Sequence, residues 1–200
     1  DASLSRYKGT LNSDHATIWQ TGTPARFLRF DGVNDTCSFG NPPIPFTDCM
    51  IELWLRPTGA NGTSLFIMSK ISGTTGFEII RNSTNTLRLD IGDGVNTISL
   101  YSDGTLLQNT WGHVAYVIRR TGGNGIIFLN GSQSGAGLSL SAIGSINNTA
   151  SLELAKTGSI FSQVDIGAFR IYDFGSGQMP VNIAQVIKNH FEFERGFYGV

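Results

Sequence analysis

The sequence has no long apolar run, little charge and few cysteines or histidines, and each shortage narrows what the protein can be. No stretch approaches the ~20 apolar residues that a membrane-crossing helix requires. The N-terminus also lacks the basic-then-apolar layout of a signal peptide, so no membrane partner is expected. Charged residues make up 14% of the 200, and the formal net charge is -1. That balance gives no electrostatic footing on a nucleic acid backbone, so nucleic acid is not an expected partner. The three histidines, His15, His113 and His190, lie far apart, and no Gly-x-Ser-x-Gly nucleophile pattern accompanies them. A phosphate-binding loop is also missing, because the Gly-rich segment 122–125 joins two strands rather than opening a helix. The only cysteines are Cys37 and Cys49, with no second Cys or His pair to make a zinc site. They are bonded only if their strands are neighbours in space, and are otherwise free buried thiols. The chain opens at Asp1 without a methionine, which suggests processing or excision from something longer.

What is present is turn chemistry and short apolar runs. Twenty-five glycines, with abundant Ser, Thr and Asn, punctuate candidate strands at a spacing that suits a β-sandwich. The strands expected are Phe27–Asp31, Thr36–Phe39, Cys49–Pro57, Ser64–Ile71, Gly76–Arg81, Thr86–Ile91, Asn96–Tyr101, Trp111–Arg119, Gly125–Leu129, Leu152–Ala155 and Val164–Tyr172. Eleven strands exceed one sheet. The chain is expected to form a single domain over 1–200, with a polar N-terminal segment at 1–26. Pro42, Pro43 and Pro45 predict an irregular loop from Gly40 to Asp48. Ile183, Ile187 and Phe191 recur at helical spacing after Pro180, which predicts one short helix over Pro180–Phe191.

The segment 111–135, WGHVAYVIRRTGGNGIIFLNGSQSG, reads as two strands closed by a Gly-rich turn. Asn130-Gly131 follows as a type I′ pair. One face of the first strand carries Trp111, His113, Ala115 and Val117, and the other carries Val114, Tyr116 and Ile118. In the return strand Ile126 and Phe128 oppose Ile127 and Leu129. Both faces are apolar. Either the chain covers both itself, or one face meets another molecule, in which case Tyr116, Ile118, Ile126 and Phe128 form the candidate partner surface.

Five segments then occur in order: Phe30-Asp31-Gly32-Val33-Asn34-Asp35, Ile51-Glu52-Leu53-Trp54-Leu55-Arg56-Pro57, Trp111-Gly112-His113-Val114-Ala115, Phe128-Leu129-Asn130-Gly131, and Asp165-Ile166-Gly167-Ala168-Phe169-Arg170-Ile171-Tyr172. Together they resemble the laminin-G-like, concanavalin A-like jelly roll. The resemblance implies an all-β, two-sheet antiparallel sandwich with one short C-terminal helix. The sequence departs from that pattern at Gly112, where a His is usual, and at Gly167, where an acidic residue is usual. The polar start supplies no clear opening strand. Relatives of this kind often carry a structural calcium, and Asp31, Asn34, Asp35 and Asp165 are oxygen ligands of the type calcium takes. Asp31-Gly32 and Asn34-Asp35 also suit simple turns, since Asp and Asn bond their own backbone.

Catalysis has little support. Glycoside hydrolases on this fold need two nearby carboxylates, whereas Glu52, Glu78, Asp90, Asp93, Glu153 and Asp165 are scattered singly and no Glu-x-Asp-x-x-Glu strand occurs. The cluster Asp90, Asp93 and Asp103 reads as loop solvation. Sugar binding would call on exposed aromatics, with Trp19, Tyr101 and Tyr116 candidates by type and Trp54 and Trp111 assigned to the core. The last residues, NHFEFERGFYGV, resemble the ending of laminin-G-like domains in structural proteins of tailed phages. The expectation is therefore a non-enzymatic virion protein, a capsid decoration or fibre component that binds other virion proteins or itself as a homo-oligomer. The alternative is an extracellular carbohydrate-binding module with glycan partners.

Overall fold

The computed structural model describes residues 8–12, 19–21, 26–42 and 47–200. Two antiparallel sheets face each other. One runs, edge to edge, through β1 (Thr10–Asn12), β4 (Thr36–Ser38), β14 (Glu153–Leu154), β6 (Leu65–Ser72), β7 (Thr75–Arg81), β8 (Thr86–Asp93) and β9 (Thr97–Thr105). The other runs through β12 (Ser132–Gln133), β11 (Asn124–Leu129), β10 (Gly112–Arg119), β5 (Asp48–Pro57), β17 (Gln163–Asp173), β3 (Arg26–Asp31) and β2 (Trp19–Thr21), with β13 (Leu138–Ser139) beside β11. A small hairpin, β15 (Lys156–Thr157) with β16 (Ile160–Phe161), lies apart from both. The chain crosses between the sheets repeatedly, among other places at β3 to β4, β4 to β5, β5 to β6, β9 to β10 and β13 to β14, which makes the all-β jelly-roll sandwich expected of the resemblance.

The sheets form because each strand has an apolar side to bury. Phe30, Ile51, Leu53, Leu55, Met68, Phe77, Ile79, Leu89, Val114, Tyr116 and Ile118 fill the space between them. Asn130 and Gly131 both take positive φ, 50° and 75°, as a type I′ turn needs. The turn is tied to β10, since Asn130 Oδ1 accepts from the His113 backbone N–H at 3.0 Å.

Several expectations change. The polar N-terminal segment contributes two strands, β1 and β2, where none was legible, because three residues are too few to establish an alternation. His15, Pro43 and Pro45 lie outside the described residues. Asp48, placed in an irregular loop by the sequence, opens β5 opposite Arg119. Cys37 and Cys49 sit in opposite sheets and are free and buried. Burial pushes their thiols up to about 11 and about 12, which leaves them unreactive.

The helix is α1 (Ile183–Tyr198), longer than the predicted span and shifted from it. Pro180 precedes it in a turn, its carbonyl accepting the Ile183 N–H at 3.2 Å. Gly199, at φ 72°, ends it in the left-handed conformation. Phe191 and Tyr198 are seven positions apart and so share one face. The intervening Glu194 and Arg195 hid that continuation in the sequence.

The helix lies on the back of the eight-stranded sheet. Ile183 and Ile187 pack with Met50, Ala115, Val117 and Phe128, and Phe191 packs with Phe27, Trp54 and Trp111. This corrects the expected partner surface. Tyr116 and Ile118 are buried between the sheets, Phe128 is buried beneath α1, and Ile126 is partly covered against the same cluster. Both faces of β10 are covered by the chain itself.

Candidate functional site

Two faces of the sandwich carry chemistry, one closed and one open. The closed face is the back of the eight-stranded sheet. There the alternation that sends Ile51, Leu53 and Leu55 inward sends Glu52 and Trp54 towards α1. Glu52 and His113 are fully buried. His113 Nε2 lies 2.8 Å from Glu52 Oε1, and His190 Nδ1, from α1, lies 2.9 Å from the same oxygen. Tyr172 donates its hydroxyl to Glu52 Oε2 at 3.2 Å, and Arg170 Nη1 stands 3.5 Å from that atom. Arg170 also pairs with Glu194 of α1, whose Oε2 accepts the Trp54 indole N–H at 2.6 Å. Burial alone would push the Glu52 carboxyl up, but the hydrogen bonds and charges of His113 and His190 outweigh it and hold it below the usual carboxylate range. Burial and the Glu52 charge push the Tyr172 hydroxyl up to about 12, so it remains a donor.

The sequence placed His113 and His190 on separate elements with no shared role, and the structure brings both to one carboxylate. The cluster holds the helix to the sheet. With α1 seated, Glu52 and His113 are out of reach of any substrate.

The open face belongs to the seven-stranded sheet. Cross-strand register lines up Glu153, Ser69, Glu78, Asp90 and Ser99 in one row, and Ile80, Arg88 and Tyr101 in the next. Glu78 and Asp90, single in sequence, are thus directly opposed. The β15–β16 hairpin covers one half of this face: Ser69 Oγ donates to the Lys156 carbonyl at 2.6 Å, and the Thr157 hydroxyl bonds Glu78. In the other half Ile80 is buried, Arg88 and Asp90 are partly exposed, and Tyr101 stands out. Tyr101 is 47% exposed, the Arg88 guanidinium lies 6.0 Å from its ring, and Arg88 pairs with Asp90 at 2.9 Å. Arg88 Nε and Asp90 Oδ1 have no partner among the described residues. Trp19, the other exposed candidate, stands on edge strand β2 opposite Leu28, in the other sheet. Asp93 is not merely solvated: it accepts backbone N–H groups from Val95, Asn96 and Gly144, which hold its carboxyl far below the usual range.

The four residues expected to ligate calcium do not fit one ion. Asp165 is fully buried, and antiparallel pairing sets Arg29 on β3 and Arg56 on β5 directly opposite it. Arg29 Nε reaches Oδ1 at 3.0 Å and Arg56 Nε reaches Oδ2 at 2.9 Å, so both oxygens are engaged by guanidinium groups. Asp31 Oδ1 accepts the Val33 N–H at 2.8 Å, and Asp35 Oδ2 accepts the Asp31 N–H at 3.2 Å, as residues of a turn do. Asn34 lies in the same turn, with Oδ1 buried. Among the described residues no group of three or more His, Cys, Asp or Glu side chains is arranged around a metal position.

This geometry belongs to a known family. The chain matches, over residues 31–174, the laminin G family described as the concanavalin A-like lectin/glucanases superfamily, and it is a member of it. No curated protein matches the sequence. Among solved structures, the binding domain of Paraclostridial Mosquitocidal Protein 1 is similar at a TM-score of 0.71 and 15% identity, covering 92% of this chain and 47% of that one. The receptor binding domain of botulinum neurotoxin C/D mosaic serotype gives 0.72 and 14%, over 96% and 48%. The botulinum neurotoxin serotype G binding domain gives 0.69 and 18%, over 96% and 48%. The chain spans about half the length of these structures, and at such identities the likeness is one of fold.

Proposed function

We propose that this chain is a non-catalytic binding module of a virion structural protein, a fibre or capsid decoration of a tailed phage, and that it takes carbohydrate on the open face of its seven-stranded sheet. The observation that carries the reading is the asymmetry of the sandwich. One sheet is sealed by α1, and the other leaves Tyr101 half-exposed beside Arg88 and Asp90. A flat ring beside the Arg88 guanidinium suits the apolar face and a hydroxyl of a pyranose. Glu78 and Asp90 are committed to Thr157 and Arg88, which favours binding over hydrolysis. The family is described by its lectins and glucanases, the similar solved structures are binding domains, and the RGFYGV ending resembles that of phage structural proteins.

Tyr101→Ala is expected to weaken glycan binding about tenfold or more. Its melting temperature should stay within about 3 °C of the parent's, because the ring is half in water. A glycan array followed by titration of a hit checks this. Glycan binding that ignores Tyr101, or no glycan binding at all, removes the carbohydrate reading.

A second reading, self-association within a virion, is favoured by one observation. Phe193 and Phe197 on the outer side of α1 are 79% and 58% exposed, with ring centroids 6.3 Å apart. Light scattering should then report an oligomer in the parent and a monomer in the Phe193→Ser, Phe197→Ser double variant. A monomeric parent discards this reading.

A further inference from the structure

The β6–β7 hairpin carries a buried cation at each end. Arg81, fully buried, donates Nη1 to Asn61 Oδ1 at 3.2 Å and to Asn85 Oδ1 at 2.9 Å, and Nη2 to the carbonyls of Ala60 and Thr63 at 2.7 and 3.1 Å. At the other end Lys70 is only 4% exposed. Its Nζ lies 2.7 Å from Asn41 Oδ1, 2.7 Å from the Ala150 carbonyl, 3.2 Å from the Asn148 carbonyl and 3.5 Å from Asn148 Oδ1. Four neutral oxygens from two loops surround one ammonium, and among the described residues no carboxylate bonds it.

We propose that this set of oxygens is a built site for a small monovalent cation, and that the ammonium of Lys70 is its resident ion, carried covalently. Asn148, which supplies two of the four oxygens, is held in place without the amine. Asn148 is fixed by its own amide group, which donates to the carbonyls of Lys70, Thr75 and Ile146 at 3.3, 3.0 and 3.3 Å. Its Oδ1 accepts the Ala150 N–H at 2.9 Å. Gly76 makes room for that side chain, since a Cβ there would stand 2.6 Å from Asn148 Nδ2. Carbonyl and amide oxygens with no carboxylate among them suit potassium or ammonium, whereas calcium draws on carboxylates. Burial lowers the Lys70 amine from its usual range, as expected of a charge compensated only by dipoles. Without the ammonium, Asn41 Oδ1 and the carbonyls of Asn148 and Ala150 lose a donor, so removing it should cost stability.

The test uses the full chain. Lys70→Gly opens the cage, and its melting temperature should fall and then rise saturably with potassium, ammonium or methylammonium at constant ionic strength. Tetramethylammonium, too large for the cage, should have no effect, and the parent should respond to none of them. Lys70→Met keeps the apolar stem and lacks the charge. It should melt about 5 °C or more below the parent and exchange the amides of residues 146–150 faster. Either of two results overturns the proposal: a Lys70→Met variant as stable as the parent, or a folded Lys70→Gly variant that small cations stabilise no more than they do the parent. If Lys70→Gly does not fold, the Lys70→Met measurement decides alone.

Discussion

Glu52→Ala is expected to destabilise the protein by about 3–5 kcal/mol, the cost of breaking a buried ionic cluster by removing one member. For a chain of this size that lowers the melting temperature by roughly 10 °C. Glu52 has no exposure, and two imidazoles and a tyrosine hydroxyl bond it directly. Alanine leaves all three with a vacant acceptor position at the boundary between sheet and helix. Glu192→Ala, at an exposed ion pair with Arg195 (3.6 Å), should change stability by no more than about 0.5 kcal/mol. Urea denaturation of the two variants beside the parent separates these outcomes, and equal, small effects would contradict the role given to Glu52. The pH dependence has a definite sign. Because the folded state depresses the Glu52 carboxyl, its contribution is complete above the ordinary unfolded value and is lost as pH falls through the folded one. The parent should therefore lose stability in acid more steeply than Glu52→Gln.

Trp54→Ala is expected to cost about as much, 3–5 kcal/mol by the usual measure of a truncated buried tryptophan, and to release α1. The indole is stacked on Tyr198 at 4.1 Å between centroids and 7° between planes, lies 5.9 Å from Phe191, and donates to Glu194. All three partners are on the helix. Hydrogen exchange should show residues 183–198 opening at a lower free energy than in the parent while the seven-stranded sheet keeps its protection. Uniform loosening of both sheets would mean that the helix is not a separate unit. Glu52 and Trp54 act on the same contact, so the double variant should be less destabilised than the sum of the two.

The sandwich was legible because its signals are local. Ile51 to Pro57 and Trp111 to Ile118 announce strands apolar on both faces, and Asn130-Gly131 fixes the turn between β11 and β12. The cover over the second apolar face was not legible, because it comes from residues far along the chain. His190 lies 138 positions from Glu52 and His113 lies 61, and no short window contains the cluster. The surroundings of Asp165 were hidden for a similar reason. Asp165 is an oxygen ligand by type, and only the strand order reveals that Arg29 and Arg56 flank it. Tyr101 was nameable as an exposed aromatic. Its neighbours Arg88 and Asp90 followed only from the β8–β9 register, which shifts between Thr86 and Arg88 and so defeats simple alternation.

The sealing of the eight-stranded sheet by α1 also sets a schedule for synthesis. The hairpin of β10 and β11 is complete at Leu129, but β17 ends at Asp173 and the helix that covers its back ends only at Tyr198. At about 5–20 residues per second the ribosome takes roughly 3–14 seconds to bridge that interval. Throughout it Trp54, Trp111, Val117 and Phe128 lack the cover of α1. A nascent chain stalled in this interval would present an aromatic, sticky β-surface to chaperones and to its own copies.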